Sequence, residues 1–254
     1  RLAKTVASGQ DMLAYLIKRA HGMGIQVHPW FVVALREDNM FPEFAEEGTP
    51  TGKYNVHNSK FRVFIHDIMM DVVKRYEVDG VNLDYVRSGG FCLSEFCIDD
   101  YRKKFDRSLQ ADLLLRKIPG YRVDSLGKWN QGAINEIVRN FSSEAKRVRP
   151  NLVISVDAHP LDPSRELEGQ DSVTWVNNDW VDVMVEKSPI SRDPSLVIDY
   201  IELSRLKFSG SGIAFYHMPR LSDAQLVAMK EGPFNKSAYP VSLPPVKQKQ
   251  GTLQ

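Results

Sequence analysis

Apolar residues along the chain follow two rhythms: a three-to-four-residue spacing in long segments, and short, mainly apolar blocks. The first predicts helices and the second buried strands. Met12, Leu13, Leu16 and Ile17 mark a helix over 11–21, stopped by Gly22 and Gly24. Residues 24–31, Gly-Ile-Gln-Val-His-Pro-Trp-Phe, read as a strand. A second helix spans 58–76, with Phe61, Phe64, Ile65, Ile68, Val72 and Val73 on one side. Asp79-Gly80 turns it into a strand over 81–85. Helices over 97–115 and 129–147 follow, and Pro150 leads into a strand over 152–157. The series continues with a helix at 172–178, a strand at 180–186, a helix at 196–206, a strand at 212–217 and a helix at 222–230. Residues 35–58 have no clean period and carry Pro42, Gly48, Pro50 and Gly52, and Ser88-Gly89-Gly90 opens another aperiodic stretch. Long ordered loops of this kind tend to carry function.

Helix and strand alternate, which argues for a parallel sheet with right-handed crossovers. The strands lack polar alternation, as expected when both faces are covered. The expected fold is therefore an α/β barrel of the (β/α)8 type over residues 1–238, with an irregular, Pro-, Lys- and Gln-rich tail over 239–254. Five strands are legible where a closed barrel needs eight, and none precedes the first helix. The expectation is an incomplete barrel.

In parallel α/β folds the ligand site lies at the carboxyl ends of the strands. Each predicted strand ends in residues with chemistry: His28 with Trp30, Asp84 with Tyr85 and Arg87, Asp157 with His159, Glu186 with Lys187, and Tyr216 with His217. Each also has a structural role open to it, such as turn capping for Asp84 or ion pairing for Asp157 and Glu186. Five strand ends that agree weigh more than any one of them. Glycoside hydrolysis uses a pair of carboxyl groups, one as acid and one as nucleophile or base. Asp84, Asp157 and Glu186 are the candidates for that pair. Trp30, Tyr85 and Tyr216 offer stacking surfaces for a sugar, His28 and His217 are further substrate-site candidates, and Arg87 can hold a carboxylate.

Composition narrows the partners. The 254 residues carry 33 Lys and Arg against 32 Asp and Glu, a formal net charge of +1. Nothing in that balance points to nucleic acid. No apolar run approaches the roughly 20 residues that span a bilayer. No Gly-x-Gly-x-x-Gly turn follows a strand, so no dinucleotide cofactor is expected. Cys92 and Cys97 are too few for a zinc site of the usual four ligands; a small-loop disulfide and free thiols both fit the spacing.

The segments Asp11–Ile17 and Ala20–Phe31 resemble the bacterial glycosyl-hydrolase-like family 10 proteins, also called GHL10 or DUF187. Val78-Asp79-Gly80-Val81-Asn82-Leu83-Asp84-Tyr85-Val86-Arg87 resembles that family's most recognisable segment, and 148–156, 180–185 and 222–234 are similar to its later parts. The resemblance implies a (β/α)8 barrel acting on a polysaccharide, usually outside the cytoplasm. It implies that the strand ending at His28 is the third and the one ending at Asp84 the fourth, so that the first two lie outside this sequence. It carries Asp84 over as catalytic carboxylate, with His28 and Trp30 as substrate-site residues. Glu186-Lys187-Ser188-Pro189 departs from the family's Pro-Met-Asn-Tyr pattern, and the seventh strand is not evident.

Three functions compete. The first is a glycoside hydrolase with Asp84 and a partner from Asp157 or Glu186. The second is a non-catalytic carbohydrate-binding protein on a degraded barrel. The third is a metal enzyme using His28, Asp84, Asp157 and His217, for which the sequence supplies no dense ligand motif.

Overall fold

The computed structural model of the chain describes residues 9, 11–159, 162–186, 193–207 and 221–235. At its centre four parallel strands lie side by side in chain order: β1 (Trp30–Val32), β2 (Gly80–Asp84), β3 (Val153–Ala158) and β4 (Val183–Glu186). Around them run α1 (Met12–His21), α2 (Ser59–Arg75), α3 (Glu95–Phe105), α4 (Leu109–Leu115), α5 (Asp124–Val148), α6 (Pro163–Leu167), α7 (Ser172–Asn177), α8 (Pro194–Lys207) and α9 (Asp223–Glu231). A 3-10 turn, Pro42–Phe44, lies in the loop after β1.

The helix starts follow from local chemistry. Asp11, Asn58, Ser94 and Ser108 each accept a backbone N–H of the first turn of α1, α2, α3 and α4. Ser222 and Gln225 close a reciprocal capping box at α9. One face of the sheet, with Val81, Leu83, Ile154 and Val156, is fully buried with Phe61 and Met69 of α2 and Ile134 and Phe141 of α5. Each such side chain withdrawn from water is worth about 1.5–3 kcal/mol. A separate apolar cluster of Cys92, Cys97, Tyr101, Leu109, Leu126 and Trp129 fills the excursion after β2.

One device recurs at the amino-terminal side of the sheet. Asp79, just before β2, accepts the Val27 N–H at 2.7 Å and faces His21 Nε2 at 2.8 Å. Asp182, just before β4, accepts the Ile154 N–H at 2.8 Å and Lys146 Nζ at 2.8 Å. In both cases a carboxylate fastens its strand to the foot of the previous one and to a basic residue on the helix before that. The motif is legible as Val78-Asp79-Gly80-Val81 and Val181-Asp182-Val183-Met184.

Several elements differ from the sequence expectation. The strand expected over 24–31 is confined to Trp30–Val32. Pro29 has no N–H to donate, and before β1 the chain contributes carbonyls instead: Val27 accepts from Asp79 N–H and Pro29 from Asn82 N–H. The helix expected over 97–115 is two, because Asp106 is left-handed (φ +52°) and Ser108 caps a fresh start. The helix expected over 129–147 begins earlier, at Asp124, and α6 had no periodic signal. In α1 Ile17 and Ala20 are buried, whereas Met12 and Leu16 are about half exposed. Cys92 and Cys97 are bridged, with Cα atoms 5.9 Å apart. The strand expected over 212–217, with Tyr216 and His217, and the tail over 239–254 lie outside the described residues.

Candidate active site at the strand ends

Register decides which side chains share a face. Trp30 pairs with Asn82 and Val32 with Asp84; Asn82 pairs with Ser155. Leu83 pairs with Val156, so one further step sets Asp84 beside Asp157. Successive side chains alternate between faces. Trp30, Val32, Asn82, Asp84, Ser155 and Asp157 therefore occupy the face opposite the helix-packed Val81, Leu83, Ile154 and Val156. Asn82 Nδ2 donates to Ser155 Oγ at 3.0 Å along this face. Asp84 and Asp157 are nearly inaccessible, at 2% and 6% exposure, at the carboxyl end of two adjacent central strands. Trp30 is 56% exposed on the same face, one pair below Asp84.

Asp84 Oδ1 accepts the backbone N–H of Tyr85 at 2.7 Å. Tyr85 has φ +51°, the left-handed region that side chains other than Gly rarely adopt. Its carbonyl accepts from Ala34 N–H at 3.3 Å and from Arg87 N–H at 2.9 Å, which holds that sharp turn. Two cations face its ring, Lys53 Nζ at 4.9 Å and Arg87 Cζ at 4.8 Å from the centroid.

Three strand-to-helix loops build the rest. The loop after β1 returns on itself, with Leu35 bridging Lys53, and delivers Lys53 to the Tyr85 ring. Its Gly48 (φ +91°) packs against the Leu93 and Ser94 backbone, where a Cβ would lie 2.6 Å from Leu93 C. Leu93 N–H donates to the Gly48 carbonyl at 2.7 Å, joining the first loop to the second. Ser88 N–H donates to the Glu168 carbonyl at 2.8 Å, joining the second to the third. Glu168 pairs with Arg87 at 3.1 Å and with Arg165 at 3.0 Å. Gln170 donates to the Asp157 carbonyl at 3.2 Å and accepts the His159 N–H at 2.8 Å, fixing the chain after β3. Burial lowers the pKa of Lys53, and the neighbouring Arg87 lowers it further. Arg87 is likewise lowered, first by burial and then by Arg165.

The strand ends thus gather Asp84, Tyr85, Arg87 and Asp157 with Lys53, Arg165, Glu168 and Gln170. The last four had no periodic signal, since Lys53, Glu168 and Gln170 sit on loops and Arg165 on the five-residue α6. The available hint was charge inside the aperiodic stretches that follow strands. His28 is not at this end. Its ring lies against Gly80, at the start of β2, and Nε2 meets Gln26 Oε1 at 3.1 Å. Because β1 begins only at Trp30, His28 precedes the strand that the sequence suggested it would close, and burial lowers its pKa. Position 186 pairs with Ala158, and Val185 with Asp157, so Glu186 is one step out of phase with the two aspartates. A cleft of about 580 Å³ lined by Arg116, Tyr121, Arg122, Lys128 and Leu167 lies along α5 and α6, and neither aspartate lines it. The strand-end position is the better site by the rule that parallel sheets bind ligands there. Among the described residues, no group of three or more His, Cys, Asp or Glu side chains gathers in a way that could hold a metal ion.

Residues 2–193 match the model of the family described as Glycosyl hydrolase-like 10, GHL10. The chain belongs to the GHL10 family. This GHL10 chain is similar in structure to a beta-galactosidase from Rahnella sp. R3, with a TM-score of 0.54 at 16% identity. The overlap covers 82% of the GHL10 chain and 37% of the galactosidase, so the chain spans little more than a third of that protein. Weaker overlaps join a cycloisomaltooligosaccharide glucanotransferase from Paenibacillus sp., with TM-score 0.45, 11% identity and coverage of 80% of this chain and 28% of that one. They also join alpha-L-fucosidase isoenzyme 2 from Paenibacillus thiaminolyticus, with TM-score 0.37, 16% identity and coverage of 86% and 38%. No curated protein matches the chain at a significant level. At 16% identity the likeness to the first of these establishes fold alone: the GHL10 sheet is part of a (β/α) barrel. No helix among the described residues is long and apolar enough to cross a membrane.

Proposed function

We propose that the protein is a glycoside hydrolase whose carboxyl pair is Asp84 and Asp157. The observation that carries this reading is their in-register position on adjacent central strands, at the carboxyl end, in a chain of the GHL10 family. Neighbouring strands are about 4.7–4.9 Å apart. Side chains on one face of strands so spaced can bring their carboxyl groups to the ~5–5.5 Å of retaining enzymes, short of the ~6.5–9.5 Å of inverting ones. The reading is therefore a retaining hydrolysis. Asp84, with one oxygen fixed by the Tyr85 N–H, attacks the anomeric carbon. Asp157 protonates the departing glycosidic oxygen and then takes the proton of the water that releases the sugar. Trp30, 56% exposed on that face, supplies an apolar surface for the sugar.

The test begins with a glycan panel, followed by turnover, glycan binding and thermal unfolding of Asp84→Asn, Asp157→Asn and Glu186→Gln. The first two should lose about 10²–10⁴-fold or more in turnover while binding is largely kept. Glu186→Gln should lose little. The anomer first released, read by NMR, should keep the configuration of the substrate. Near-normal turnover with Asn at position 84 would reject the catalytic reading. Binding without hydrolysis across the panel would leave a carbohydrate-binding protein in its place.

A further inference from the structure

The strand-end cluster holds three cations, and two of them are already engaged. Arg87 and Arg165 both pair with Glu168, and Arg165 also lies 3.6 Å from Asp162. Lys53 is different. Among the described residues its ammonium has no hydrogen bond and no carboxylate within ion-pair range; what it faces is the Tyr85 ring. An ammonium carries three donors and no acceptor, so Lys53 has donors to offer a ligand group beside that ring. Its half-buried state makes unused donors costly, because desolvation is not returned by a partner.

The position is built. The Leu35–Lys53 bridge fixes the backbone. The side-chain stem packs on Gly89 (φ +68°), where a Cβ would come within 2.5 Å of the lysine Cε. Asp84 and Glu168 act on the Lys53 charge favourably, Arg87 and Arg165 unfavourably.

We propose that Lys53 is a specificity-determining residue that binds an anionic substituent, carboxylate or sulfate, on the sugar held at the strand ends beside Tyr85. The inference rests on the glycoside hydrolase reading and deepens it by naming a substrate class. A lysine suits this task as a compact point charge that takes a single oxygen, while the two guanidinium forks are held by Glu168.

The experiment is calorimetric titration of the whole protein with paired oligosaccharides. Each uronic-acid-bearing oligosaccharide is set beside its carboxyl-reduced counterpart and a sulfated form. The wild type should bind one anionic form at least tenfold more tightly than the neutral one, with the preference shrinking as salt is raised. Lys53→Gln should weaken the anionic form about ten- to a hundredfold and leave the neutral form unchanged, as expected for a lost charge-assisted hydrogen bond. Lys53→Arg should keep most of the preference. The better anionic form tells carboxylate from sulfate. Equal wild-type affinity for charged and neutral partners overturns this inference and leaves the hydrolase reading standing. Binding of none overturns both. The wild-type preference and its salt dependence decide the matter even if Lys53→Gln does not fold.

Discussion

Gly80 offers a sharp test of how the sheet is packed. It opens β2, and its α-hydrogens face the His28 ring and the Val153 carbonyl of the next strand. A methyl group there would overlap Nδ1 and Cε1 of His28 and sit 2.5 Å from the Val153 oxygen, about 1 Å inside ordinary contact. The ring can yield; the carbonyl belongs to the β2–β3 ladder and yields only by moving β3. Overpacking of this kind costs about 1–3 kcal/mol. Against it stands the roughly 0.4–1 kcal/mol by which alanine reduces the entropy of the unfolded chain. Gly80→Ala should thus be destabilised by about 1–2 kcal/mol. For a domain of this size that is a fall of about 2–8 °C in Tm, at 2–4 °C per kcal/mol. Reversible thermal unfolding measures it. The double variant with His28→Ala should recover part of the loss, giving a coupling of about 0.5 kcal/mol or more. An alanine variant as stable as the wild type, or a double variant with purely additive losses, would refute the packing argument.

Two further outcomes follow from groups away from the site. His57 is buried, stacks on Trp129 at 3.6 Å between centroids and bonds Asn130 through Nε2 at 2.9 Å; burial pulls its pKa down to about 4. The unfolded chain then takes up the proton more readily, so stability present above pH 6.5 is lost as pH falls toward 4. That single group accounts for about 3 kcal/mol. In urea unfolding at pH 7 and pH 4.5 the stability difference between wild type and His57→Phe should shrink on acidification, and a constant difference would remove the assignment. The Cys92–Cys97 bridge closes a short loop, worth about 2 kcal/mol on chain-entropy grounds. Cys92→Ser with Cys97→Ser should lower Tm by several degrees, and an unchanged Tm would contradict this.

The regular frame was legible because its signals are local. Asn58, Asp79-Gly80 and Pro150 punctuate the segments they bound, and Asp84 stands out as a carboxylate closing an apolar block. Asp157 could be named in the same way, but its adjacency to Asp84 could not, since that depends on strand register over some seventy intervening residues. Backbone conformation hid the rest. The left-handed Asp106 split a helix that periodicity joined, and Pro29 confined β1 to the far side of His28. Lys53 and Glu168 were out of reach for another reason. Loop residues reach the site by way of contacts such as Leu93 with Gly48 and Ser88 with Glu168, which leave no period in the sequence.

The chain order of the strands has a consequence for synthesis. Each strand takes as its first neighbour the one translated before it, so the growing sheet always presents one unfinished side, and that side advances with the chain. Between the end of β2 at Asp84 and the start of β3 at Val153 the ribosome needs roughly 3–14 s at 5–20 residues per second. For that interval the Gly80–Asp84 backbone has nothing to pair with on its later side, and unpaired strand backbone is a template for other chains. The disulfide-pinned excursion with its own apolar cluster is made within the same interval.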